Sequence, residues 1–253
     1  MHLLLINANT TVAITELLVA NARQLVSPDT TVTGVTARLG ARYVATRPAY
    51  AIAAHAALDA YAEHGAGADA VILACFGDPG LMALRELSTI PVIGMAEASC
   101  QIAARRGGRF SIVTGGAGWV PMLREFVTGI GLGGQLASVR AVPPSGVEIA
   151  ADPQRGRTIL AQECRAAAVG DGAEVVILGG AGLVGIAEAI AGDVPVPLID
   201  SLTAAIKTAE NAARDFEEDR LQKTSCPIRP VESIGLAPRL SALLLGRRIG
   251  DLP

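Results

Sequence analysis

The feature that most restricts this chain is an internal repeat. GADAVILACFG at residues 67–77 aligns without gaps to GAEVVILGGAG at 172–182, with six of eleven positions identical and Asp69 matched by Glu174. Two further pairs keep nearly the same spacing: IPVIGMAEA (90–98) resembles VPVPLIDSL (194–202), and HLLLINANT (2–10) shares its character with RFSIVTGGA (109–117). Repetition at one offset means that one supersecondary plan is used twice. The expected architecture is therefore two tandem pseudo-symmetric lobes, residues 1–99 with 208–253 and residues 100–207, with a cleft between them.

The pattern inside each copy sets the class. Apolar runs at 2–6, 31–36, 70–74, 91–94, 110–114, 137–142, 174–178 and 196–199 read as strands. Ala-rich amphipathic stretches at 10–25, 48–64, 80–87, 97–106, 119–129, 154–169 and 201–216 read as helices. Strands alternating with helices predict an α/β fold in which each lobe is a short parallel sheet flanked by helices. In open sheets of this kind ligands bind at the carboxyl ends of the strands.

Composition removes several classes of function. The chain is 51% hydrophobic, but charges and glycines interrupt every run, so no segment reads as a membrane span. A net charge of −3 with only two lysines leaves no footprint for nucleic acid. The start, MHLLLINANTT, suits a first strand better than a secretory signal, which places the protein in the cytoplasm. Cys75, Cys100, Cys164 and Cys226 are widely separated and the three histidines form no H-x-x-x-H, so neither a metal cage nor a disulfide framework is expected. A small-molecule substrate is the expected partner, and Ala-rich helix faces suggest a homo-oligomer.

Two loops carry the candidate chemistry. Gly180-Ala-Gly182-Leu-Val-Gly185 fits the G-x-G-x-x-G spacing of a dinucleotide loop, and Asp200 lies about where a ribose-binding acid belongs. The loop comes too late in the chain for two βαβαβ halves, however, and no cofactor is expected. In the repeat, Gly180 occupies the place of Cys75. In AVILACFGDPGL, Cys75 follows a buried strand, with Asp78 as helix N-cap and Pro79 in the first turn, so the helix N-terminus is expected to lower the thiol pKa. The other three cysteines read as small buried hydrophobes. Backbone N–H groups around Phe76 and Gly77 offer donors for a developing oxyanion.

INANTT (6–11), LACFGDPGL (73–81), PVIGMAEAS (91–99) and LGGAGL (178–183) together resemble the signature segments of the aspartate/glutamate racemase superfamily, in particular its hydantoin and allantoin racemase branch. The resemblance extends over nearly the whole chain. It implies no cofactor, no metal, and two cysteines, one per lobe, that exchange a proton with a carbon beside a carbonyl from opposite faces. Carried over, Cys75 is the acid/base of the first lobe, and Asn9, Gly77, Thr114, Ala181 and Gly182 line the cleft or supply donors. Arg47, in YVATRPAY, is a candidate for a ureido or carboxylate group, with Phe76 and Gly115 beside the site and Trp119 as a wall. Glu97 and Asp200 are expected to be structural.

The chain departs from the family at two places: its LGCAGM is here LGGAGL, with Gly180 in the position of the second cysteine, and its Thr-Thr is here Thr114-Gly115. Three accounts of Gly180 stand open: an engineered change in an ordinary racemase, a natural one-cysteine enzyme such as a decarboxylase of malonate-type acids, and a binding protein without catalysis.

Overall fold

The computed structural model describes residues 1–219 and 229–252; Cys226 and the rest of 220–228 lie outside them. The first sheet contains β1 (His2–Asn7), β2 (Thr31–Thr36), β3 (Ala70–Leu73) and β4 (Val92–Gly94), and the second β5 (Phe110–Gly115), β6 (Leu136–Val142), β7 (Val175–Leu178) and β8 (Leu198–Asp200). Their orders, β2-β1-β3-β4 and β6-β5-β7-β8, are the same plan twice, and all pairings are parallel. The eight expected strands are all present, and the repeat in sequence is a repeat in topology.

Burial follows from position in the sheet. The central strands β1, β3 and β7 are almost wholly inaccessible from Leu3 to Ile6, Ala70 to Leu73 and Val175 to Leu178. Helices cover both faces there, so continuous apolar runs are needed rather than alternation. The edge strand β2, TVTGVT, tolerates threonines on its outer side.

The principal helices are α1 (Val12–Leu25), α2 (Arg47–His64), α3 (Leu81–Leu87), α4 (Met95–Arg106), α5 (Trp119–Gly129), α6 (Gly146–Ala151), α7 (Pro153–Gly170), α8 (Ile186–Ile190), α9 (Ser201–Asp219) and α10 (Pro238–Leu244). The short α6, α8 and α10 were not among the expected helices. Two helices change sides. α4 leaves β4 of the first sheet and packs against β7, β5 and β8 of the second, while α9 leaves β8 and packs against β3, β4 and α1 of the first. They also pack on one another, so each lobe ends in a helix built into its neighbour. The expected boundaries near residues 100 and 208 fall inside these two helices. The tail helix α10 returns to the first lobe against α2. No helix among the described residues is long and apolar enough to cross a membrane.

Candidate active site

In each sheet the chain runs from the first strand to one edge and from the third strand to the other, so the crevice between β1 and β3, and between β5 and β7, is a topological switch point. The two crevices open on one cavity. Asn9 follows β1, Cys75 and Phe76 follow β3, Thr114 and Gly115 end β5, and Gly180, Ala181 and Gly182 follow β7; all of them line it. About 40 Å³ of it is open to the centre of a water-sized sphere, within some 480 Å³ of non-atom space that includes the mouth toward solvent. Ile14, Val44, Trp119 and Leu183 give it apolar walls, and no Asp, Glu, Lys or Arg is among the described lining residues.

Polar atoms inside the cavity are few. The Asn9 carboxamide oxygen accepts from the Thr11 backbone N–H at 2.9 Å and from Asn7 Nδ2 at 3.2 Å, which fixes the side chain and leaves its own amide group free to donate. Thr114 Oγ1 points toward Gly180, lying 3.9 Å from where a Cβ on that glycine would sit. The turn after Cys75 is closed by the Asp78 N–H donating to the Cys75 carbonyl at 2.9 Å, and the turn after Gly180 by the Leu183 N–H donating to the Gly180 carbonyl at 2.9 Å. Of the residues between, Phe76, Ala181 and Gly182 line the cavity.

The lobes close over this cavity through aromatic side chains. Tyr43, on the loop after β2, donates its hydroxyl to the Gly115 carbonyl of the other lobe at 2.6 Å. Tyr50 of α2 donates to the Gly77 carbonyl at 2.7 Å and meets Trp119 edge-on, ring centroids 6.4 Å apart. Such a pair contributes about 0.5–1.5 kcal/mol beyond its buried area. The Trp119 ring takes the space beside Gly77, where an added Cβ would lie 2.6 Å from it, and Phe76 likewise takes the space beside Gly179, at 2.4 Å. Sequence reasoning did not single out Tyr43, Val44, Ile14, Gly146 or Leu183. The tyrosines on either side of Arg47, in a chain with only three, were the available signal.

Three expectations are corrected. Arg47 does not line the cavity: it lies at the first turn of α2, largely exposed, and pairs with Glu125 of α5 across the lobes. Gly77 is also outside the lining and contributes the carbonyl that holds Tyr50. Asp78 does not cap the helix that follows it. That helix begins at Leu81 with Gly80 as N-cap, whereas the Asp78 carboxylate accepts from the backbone N–H groups of Ala96 and Glu97, at 2.9 and 2.8 Å, at the start of α4. Consequently the first N–H groups of α4 are occupied by Asp78. Burial, reinforced by the Asp78 charge, pushes the thiol up to about 12 rather than down.

The glycine spacing at 180–185 is explained by the protein itself. A Cβ at Gly182 would lie 2.0 Å from the Gly146 carbonyl oxygen, and Gly185 adopts φ +79°, so both positions exclude side chains for packing and backbone reasons. Asp200 accepts from the Gly185 N–H at 2.8 Å and from Thr203 at the start of α9 at 2.9 Å, and Glu97 pairs with Arg85; both are structural, as expected.

A doubled parallel sheet with a cavity at two facing switch points defines the racemase-type two-lobed fold. The sequence profile described as Asp/Glu/Hydantoin racemase matches residues 3–209, and the chain belongs to that family. Hydantoin racemase from Pseudomonas sp. (strain NS671) is 32% identical over 211 residues, 83% of this chain and 85% of the relative. Hydantoin racemase from Paenarthrobacter aurescens is 34% identical over 214 residues, 83% of this chain and 90% of the relative. The crystal structure of allantoin racemase from Pseudomonas fluorescens superposes with a TM-score of 0.84 at 33% identity, covering 93% of this chain and all of that one.

Proposed function

We propose that this protein is a hydantoin/allantoin racemase-type enzyme without a cofactor, in which Cys75 exchanges a proton with the acidic C–H of a cyclic ureide and Gly180 leaves the opposite face without a titratable side chain. The observation that carries the reading is the position of Cys75. It stands at the first-lobe switch point and opposes the Gly180–Leu183 turn across a cavity with no charged lining group among the described residues. An amino acid such as aspartate or glutamate would bring carboxylates with no cation to meet them. A hydantoin ring is neutral and planar, and its carbonyls match the N–H groups of the two turns and the Asn9 amide.

Proton transfer then proceeds from one side. The Cys75 thiolate takes the proton from carbon, the negative charge moves onto the ring carbonyl oxygen facing backbone N–H donors, and the thiol returns the proton to the same face. Inversion needs delivery from the other face, where Leu183 and Gly180 present apolar surface and backbone. Absence of one positioned acid/base typically costs about 10²- to 10⁴-fold in rate. Hydrogen–deuterium exchange should therefore outrun racemisation.

Proton NMR in deuterated water tests this with single enantiomers of a 5-substituted hydantoin and of allantoin, a protein-free control, and chiral chromatography of the product. Loss of the C–H signal with the enantiomer retained, abolished in Cys75→Ser, is the expected result. Failure of the unaltered protein to accelerate exchange would overturn the proposal and favour decarboxylation or simple binding in the same cavity.

A further inference from the structure

The most unusual buried group near the cavity is Asp78. It is 2% exposed, and it is the one non-glycine residue among those described with a positive φ, +54°. Left-handed backbone is unfavourable for a non-glycine residue and persists where surrounding contacts over-determine it. Those contacts are all present. The backbone N–H of Asp78 donates to the Cys75 carbonyl at 2.9 Å and its carbonyl accepts from Leu81 at 3.1 Å, while its two carboxylate oxygens hold the first N–H groups of α4. The carboxylate also fills the place of a side chain at residue 94, since a Cβ on Gly94 would lie 2.2 Å from Asp78 Oδ2.

From this geometry we infer that Asp78 is a positioning residue for the proton transfer: it clamps the Cys75 turn to the helix that crosses into the second lobe and sets a carboxylate three residues from the thiol. The inference rests on the reading of Cys75 as the acid/base. Because α4 packs on β5, β7 and β8, the clamp fixes the thiol relative to the wall opposite, which hydrogen bonds within the first lobe alone would not do. The groups facing Asp78 are Cys75 on its own turn, Tyr50 of α2, Arg85 of α3, and Glu97 and Cys100 of α4. Arg85 is bound to Glu97, so it does not neutralise Asp78 by direct pairing. Burial pushes Asp78 up to about 7, opposed by the two N–H donors, so its charge bears on Cys75 most fully above neutrality.

Two substitutions weigh the charge against the clamp. Asp78→Asn removes the charge together with one of the two acceptors for the α4 N–H groups, and keeps the volume. Gly94→Ala keeps the charge, has a compatible backbone at φ −80°, and drives a methyl group against the carboxylate. Site-resolved alkylation of Cys75 by iodoacetamide across pH 6–11, read by peptide mass spectrometry, reports the rise of the thiolate fraction below the thiol's titration, and hydantoin C–H exchange reports kcat and KM. In Asp78→Asn the thiol titration should move down by about one pH unit or more, so that alkylation at a fixed pH below it rises roughly tenfold. In Gly94→Ala kcat should fall roughly tenfold or more with KM changed less than about twofold, because the thiol is misplaced while the groups that bind the ring stay where they are. Titration of Asp78→Asn coincident with the parent, or an unchanged kcat in Gly94→Ala, would overturn the inference. If instead the parent protein shows no exchange, or Cys75→Ser exchanges as fast as the parent, the underlying reading of Cys75 fails, which the alkylation result does not decide.

Discussion

Placing a thiol on the second lobe should convert a one-sided exchanger into a racemase, at a structural cost that can be worked out. Gly180 has φ +157° and ψ 138°, at the margin of the region that L side chains rarely adopt, and a Cβ there would lie 3.3 and 3.4 Å from Leu183 Cγ and Cδ1. Both conflicts are mild. The backbone needs only a modest rotation to reach ordinary extended geometry, and a leucine end can yield by a few tenths of an ångström. Strained conformations of this order cost about 1–3 kcal/mol; with partial relaxation we expect about 1–2 kcal/mol, or a Tm lower by roughly 3–6 °C for a chain of this size. Gly180→Ala carries the same backbone penalty without the thiol and so serves as the control. Gly180→Cys should racemise a 5-substituted hydantoin about 10²- to 10⁴-fold faster than the parent, with the gain confined to inversion. The assay is loss of optical rotation alongside deuterium incorporation. An equal gain in Gly180→Ala, or a parent that already racemises at the rate of Gly180→Cys, would show that no second thiol is required.

Further outcomes are expected. With its thiol pushed up to about 12, Cys75 supplies a thiolate fraction that grows tenfold per pH unit, so kcat/KM for exchange should rise about tenfold per unit between pH 7 and 9; a plateau at neutral pH would count against Cys75 as the base. Tyr43→Phe removes the 2.6 Å bond that joins the lobes over the cavity, and should lower exchange by roughly tenfold, measured as kcat/KM, with Tm changed by only a few degrees. Arg47→Ala should leave exchange kinetics within about twofold, because its exposed pair with Glu125 contributes under about 1 kcal/mol and its side chain does not reach the cavity. Asp171 is held at about 2, below its ordinary value, chiefly by the bond from Arg140. Its contribution to stability is therefore present above about pH 4 and is lost as pH falls from 4 toward 2, and Arg140→Met should flatten that acid limb in thermal melts.

Much of the fold was legible because period and repetition are local signals. The buried strands Leu3–Ile6, Ala70–Leu73 and Val175–Leu178 announce themselves as continuous apolar runs, and their shared offset exposes the doubled plan. The site was legible where a residue directly ends a strand: Asn9, Cys75, Thr114 and Gly180 all line the cavity. What the sequence concealed depends on which lobe an element packs against. Nothing in MAEASCQIAARR says that its helix leaves its own sheet, so Asp78 reads as a cap for the residues just after it. The true partner, at Ala96 and Glu97, becomes visible only when β4 delivers the start of α4 beside the turn. Arg47 misled for a related reason. Its donors match a ureide as well as they match Glu125, and the choice between them is made by the second lobe.

The doubled plan also shows why two thiols in this cavity would not behave alike. Each lobe uses one buried or half-buried acid to join the turn after its third strand to the helix after its fourth, but the acid comes from opposite sides. In the first lobe Asp78 sits on the turn itself and reaches the start of α4, opposite Gly94; in the second, Asp200 ends β8 and reaches back to Gly185. Gly94 and Asp200 occupy equivalent places, paired with Leu73 and Leu178. The first arrangement sets a carboxylate three residues from the reacting position, the second sets it against the far end of the turn, five residues from Gly180. A thiol introduced by Gly180→Cys should accordingly titrate lower than Cys75, by about one pH unit or more, since Cys75 has both the deeper burial and the nearer like charge, Gly180 being only partly buried. Peptide-resolved alkylation of that variant would reveal the introduced thiol reacting at lower pH than Cys75. Equal titration of the two, or the reverse order, would mean that neither the nearer carboxylate nor the deeper burial of Cys75 sets thiol chemistry in this cavity.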